Sequence, residues 1–167
     1  MTRRTLFLPL AALIIYAMPA NAQEFTVDAH FIDRCLAIQE DPMVCVGREA
    51  DRCAQKHGGG ADMVIAACTF AEAEAWDDSL NAAYRELQRL AREREAWDVG
   101  YEPGALLIGL RDMQRAWISY RDAVCANALA LARPFGSSAG VAESECLLEE
   151  TARQFVKLTQ MRWSYTE

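Results

Sequence analysis

The chain has 167 residues, 52% hydrophobic and 25% charged, with 17 basic against 24 acidic side chains and a net charge of −7. That length fits one domain with a short targeting segment. The acidic balance argues against nucleic acid or anionic lipid as a partner and favours association with basic proteins.

The amino terminus carries the three parts of a secretory signal. Arg3 and Arg4 precede an uncharged apolar run from Leu6 to Ala20, and the small residues Ala20-Asn21-Ala22 place cleavage before Gln23. A membrane-spanning helix needs roughly 20 apolar residues, whereas this run is about 15 long and contains Pro9. The first cysteine, Cys35, lies well beyond the cut, so a lipoprotein is not expected. Removing residues 1–22 takes away two arginines and leaves 15 basic against 24 acidic side chains, a net charge of −9. The expectation is a periplasmic or secreted protein with no membrane insertion after cleavage, formed by one helical domain over 23–167.

Two short helices are predicted first, over Asp28–Ile38 and Met43–Gln55, separated by a turn at Asp41-Pro42. Gly58-Gly59-Gly60 then turns the chain into a long helix from about Asp62 to Arg94. Its inner face is formed by Ile65, Cys68, Trp76, Leu80, Tyr84, Leu87 and Leu90 or Ala91. The clearest periodicity spans Gly104 to Leu131, where Leu106, Leu110, Met113, Trp117, Tyr120 and Val124 recur at three- and four-residue steps. Pro103 stands just before this helix, where proline is tolerated, and Arg133-Pro134-Phe135-Gly136 ends it. A last helix, Ser138 to Trp163, carries Val141, Leu148, Ala152, Phe155 and Leu158. No period-two run of β-branched residues lies outside the leader. The fold class is therefore all-α, a bundle of about five helices in antiparallel hairpins.

Six cysteines in an exported chain read as three disulfides. There is no C-x-x-C pair, and His30 and His57 have no zinc-ligand spacing. Of the fifteen connectivities that six cysteines allow, helical hairpins with short loops select one. Cys53 and Cys68 are equidistant from the glycine turn, and Cys125 and Cys146 from Pro134-Phe135-Gly136. Cys35 and Cys45 remain, on either side of Asp41-Pro42. Cys45 and Cys53 on one helix would stand roughly 12 Å apart, too far to bridge.

A search for catalytic chemistry finds little. His57-Gly58-Gly59-Gly60 and Gly136-Ser137-Ser138-Ala139-Gly140 imitate the oxyanion loop and nucleophile elbow of serine hydrolases. No strand precedes the serine, however, and both histidines come before it. These segments read as inter-helix turns, with Ser137 or Ser138 capping the last helix. Among Glu72, Glu74, Asp77, Asp78 and Asp122 no pair stands out for glycoside hydrolysis. No catalytic residue, cofactor site or metal site is expected, and the chain is read as a non-enzyme.

Two clusters rise above this background. One runs from Trp76 to Tyr84, the other from Leu110 to Cys125. In the second, Gln114, Trp117, Arg121 and Cys125 share a side, with Tyr120 beside them. Asp77 is the expected ion-pair partner of Arg121, and these groups serve to lock the two long helices together. The alternative role is for Trp76, Trp117 and Tyr120 as partly exposed anchors for a protein partner. Two loops are suited to entering a cleft, Trp97 to Gly104 with Tyr101 at its tip and Pro134 to Gly140.

The same clusters resemble the lysozyme inhibitor LprI-like family of small exported helical domains. The family pattern is matched by Cys68; by Asp77, Leu80, Asn81 and Tyr84; and by Leu110, Arg111, Gln114, Arg115, Trp117, Tyr120, Arg121, Asp122 and Cys125. It continues through Gly136, Ser137, Cys146, Thr151 and Arg153. The resemblance covers about residues 68–158 and leaves 23–67 as a cysteine-containing extension. It implies an exported protein that binds and inhibits a lysozyme, a class of commonly basic enzymes to which an acidic partner would be steered. The other reading is a structural or interaction module of the cell envelope with a different protein partner.

Overall fold

A helix leaves its first amide hydrogens without acceptors inside the helix, and this chain supplies them in two ways. The computed structural model describes residues 24–97 and 100–166. The segment expected as a leader and its expected cleavage site, together with Asp98, Val99 and Glu167, lie outside the described residues. Helix α1 (Ala29–Ile38) is capped locally, the Asp28 carboxylate accepting from the His30 N–H at 3.0 Å. Asp41 does the same for Met43 at 2.9 Å and opens a 3-10 turn over Pro42–Cys45.

The single helix expected over 43–55 is interrupted. Val46 is extended and Gly47 takes a left-handed φ of 85° before the chain resumes as α2 (Arg48–Lys56). Glycine alone adopts that φ without strain, but it brings no capping side chain. The acceptor comes instead from α3 (Asp62–Trp97), where the Glu72 carboxylate accepts from the N–H groups of Gly47 at 2.8 Å and Ala50 at 2.6 Å. The same arrangement recurs at α4 (Ala105–Ala132), which begins at Gly104 with φ 81° and again lacks a cap of its own. Glu95 of α3 accepts from Gly104 N–H at 3.0 Å and Leu106 N–H at 2.6 Å. A second 3-10 turn, Arg133–Phe135, leads into α5 (Ser138–Thr166). Among the described residues every regular element is helical.

The disulfides pair Cys35 with Cys45, Cys53 with Cys68 and Cys125 with Cys146, the connectivity that the hairpin symmetry predicts. With all six cysteines bridged, none is free to hold a metal. The main packing partner of α3 is α5 rather than its chain neighbour α4, which rests largely on α5. Trp76 accordingly packs edge-on against Phe155 of α5 at 5.6 Å. It belongs to a core with Ile32, Cys35, Cys45 and Leu148, which joins the amino-terminal layer to α3 and α5. A second core of Leu80, Leu87, Leu90, Leu110 and Leu158 ties α4 to the same pair. Among the described residues no helix is long and apolar enough to cross a membrane.

Candidate functional site

Because α4 leans on α5 while touching α3 only lightly, a groove of about 710 Å³ opens between the three helices. Its α3 wall carries Glu74, Asp77, Asp78 and Asn81, and α4 contributes Gln114, Ile118 and Arg121. Thr151 and Leu147 of α5 form the floor, and Phe70 adds an apolar edge. Six residues of the motif pattern quoted above therefore meet here: Asp77, Leu80, Asn81, Gln114, Arg121 and Thr151.

The geometry within the groove is uneven. Asp77 lies 4.0 Å from Arg121, at the outer limit of an ion pair, and gives its other oxygen to the Asn81 amide at 2.8 Å. Arg121 makes its closer pair with Asp122 at 2.8 Å and stacks over Trp117 at 5.0 Å. The expected Asp77–Arg121 contact thus exists, as a long one across an open groove. It does not lock α3 to α4. Gln114 is almost wholly buried, and its carbonyl oxygen accepts from the Gln154 amide at 2.9 Å, joining α4 to α5.

On the other side of that α4–α5 seam lies a smaller groove of about 410 Å³. Trp117, Tyr120, Arg153 and Gln154 line it. Tyr120 is largely exposed and Trp117 half-buried, so both remain available to a partner. Trp76 is not: it has no exposed surface, and its indole N–H donates to Glu72 at 3.0 Å. The expectation of Trp76 as an anchor is corrected, because its place on the inner stripe of α3 puts it in the core. Tyr101 is at the surface and lines neither groove, and Trp97 at the end of α3 is highly exposed. A third groove of about 520 Å³ lies between α3 and α5, walled by Leu87, Leu158 and Trp163.

The hydrolase-like segments have other roles. Gly136 to Gly140 follows a helix and a 3-10 turn. The Ser137 hydroxyl donates to Asp62 at 2.6 Å, tying the start of α5 to the start of α3, and Ser138 donates to the Phe135 carbonyl at 3.1 Å. His57 packs against Phe25 at 4.9 Å.

Three features escaped the sequence reading. The Gln114–Gln154 pair joins residues on different helices, and no local spacing reveals it. Thr151 gave no signal beyond its place in the motif. Glu72 did leave one: it falls midway between Cys68 and Trp76, so four-residue steps place a carboxylate on the apolar face. Burial pushes its pKa above the usual carboxylate range, while hydrogen bonds from Ala50, Trp76 and Gly47 pull it part of the way back.

Comparison with known proteins gives one family. The model described as lysozyme inhibitor LprI matches residues 53–158, most of the chain. The match begins at Cys53 rather than at Cys68, so it takes in both halves of the bridge between α2 and α3. No curated protein and no solved structure matches.

Proposed function

The chain belongs to the lysozyme inhibitor LprI family, and from that premise we propose that it is an exported binding protein that captures and inhibits a lysozyme-type muramidase. The observation that carries this reading is the family match over 53–158, which includes the whole of α3 and α4 and most of α5. Two properties of the chain support it. Three disulfides suit an oxidising compartment, in keeping with the secretory signal read from residues 1–22. An acidic chain is steered electrostatically toward a basic enzyme. Inhibition is by binding, and no catalytic role is assigned to any residue.

The test is to measure purified residues 23–167 against several lysozymes at physiological salt, following both binding and muramidase activity. Saturable binding with loss of activity is expected. Absence of both at micromolar concentration contradicts the proposal.

One observation favours the second reading, an envelope interaction module with another partner. Residues 24–52 lie outside the family match, yet they pack onto α3 and α5 through Ile32, Cys35 and Cys45 and present exposed Ile38 and Val44. Removing those surface side chains (Ile38→Ser with Val44→Ser) while retaining full lysozyme inhibition would separate that surface from the inhibitory one.

A further inference from the structure

We propose that the groove between α3, α4 and α5 receives one arginine side chain of the bound protein, presented on an exposed loop. This rests on the reading of the chain as a binder of a basic muramidase and goes beyond it by naming the surface and its chemistry.

Unsatisfied hydrogen bonding is the first observation. Gln114 is 7% exposed and Thr151 is 2% exposed, and both line the groove. Gln114 uses its carbonyl oxygen on Gln154, while its amide N–H₂ has no partner among the described residues. The Thr151 hydroxyl likewise has none there. Neither donor atom is sealed from solvent, although the residues around them are packed, so each offers the groove a hydrogen bond that a ligand can take in place of water. A backbone carbonyl of a partner loop suits both as an acceptor.

The second observation is charge. Glu74 and Asp78 stand four residues apart on α3, a spacing at which like charges repel across one helical turn. Neither has an ion-pair or hydrogen-bond partner among the described residues. Arg121, the cation of the groove, is already held by Asp122 and stacked on Trp117. The opening is therefore short of positive charge. A guanidinium fork satisfies two carboxylates at once, and its methylene stem packs against apolar surface. Phe70 and Ile118 supply that surface, 37% and 40% exposed. A groove of about 710 Å³ admits the tip of a loop along with its side chain.

A saccharide also hydrogen-bonds to amides and carboxylates. Two unpaired, mutually repelling carboxylates favour the cation, and the saccharide becomes an outcome of the test. Residues 23–167, isotopically labelled, are titrated by NMR with N-acetyl-arginine N-methylamide and separately with tri-N-acetylglucosamine. The arginine probe is expected to shift the Gln114 side-chain amide and the Ile118 methyl signals saturably at millimolar concentration. In the double variant Glu74→Gln with Asp78→Asn, that binding should weaken at least about tenfold. Both changes are at exposed positions without partners, and an unchanged Tm confirms that the variant is folded. Absence of saturable shifts, or shifts caused by the saccharide instead, overturns the proposal.

A second arm measures calorimetric binding of a basic lysozyme to both proteins. Loss of at least tenfold in affinity in the variant supports the groove. Equal affinity overturns it and leaves the muramidase reading standing. If the wild type binds no lysozyme while the arginine probe occupies the groove, the muramidase reading fails and the groove assignment survives.

Discussion

Burying a carboxylate is costly unless its oxygens accept hydrogen bonds. Glu72, with no exposed surface, receives them from Gly47, Ala50 and Trp76. Replacing it by alanine leaves these donors unsatisfied in the core, at about 1–3 kcal/mol for each one that water does not reach. Glu72→Ala should therefore destabilise the fold by about 3 kcal/mol or more, measured by urea unfolding. The raised pKa adds a pH dependence of known sign. Between the ordinary value of 4.5 and the raised folded value, the folded chain binds more protons than the unfolded one. The contribution of Glu72 to stability is thus fully present below 4.5 and declines as pH rises through that window. Glu72→Gln cannot titrate, so its stability deficit against wild type should be larger at about pH 4 than at about pH 7. A deficit that grows toward neutral pH would contradict this account. At this scale the sequence was partly legible. Trp76 and Glu72 both fall on the stripe with Cys68 and Leu80, which already placed them inside. Reading Trp76 as a surface anchor set its residue type above its position.

Two helices in this fold begin on a left-handed glycine and take their cap from a glutamate of α3. Glu95 fills this role for α4, accepting from Gly104 and Leu106. Glu95→Ala should cost about 1 kcal/mol, the usual worth of a helix cap. It should also accelerate hydrogen exchange at Leu106 and Leu107 far more than at the centre of α4. Uniform acceleration along the helix would mean that Glu95 does more than cap. The Cys125–Cys146 bridge closes the α4–α5 hairpin across 21 residues. Its double replacement by serine should lower stability by about 3 kcal/mol, read from the urea midpoint. Hairpin connectivity was visible in the sequence because a short turn brings equidistant positions together. The break at Val46 and Gly47 was not visible, since Met43, Cys45 and Ala50 continue a plausible apolar pattern across it. The α3–α5 interface was also hidden, because turn symmetry pairs only chain neighbours. For the same reason the groove that separates α3 from α4 could not be anticipated, although Asp77 and Arg121 on its walls were.

Over the whole molecule the charge is unevenly matched. Surface pairs such as Glu86–Arg89–Glu93 and Glu149–Arg153 neutralise one another along their helices. Glu74 and Asp78 at the groove have no ion-pair partner among the described residues, within a chain of net charge −7. Association with a basic enzyme should therefore slow as ionic strength rises and screens the attraction, with most of the change in the on-rate. Surface plasmon resonance across a salt series reads this directly, and an association rate indifferent to salt would remove charge steering from the account. The claim on which the functional reading stands is capture of a muramidase. Its most direct test is the turnover of a cell-wall substrate by a basic lysozyme titrated with residues 23–167. A saturable fall in activity that tracks binding is expected. Full activity at micromolar concentrations of the folded, disulfide-intact protein would contradict it.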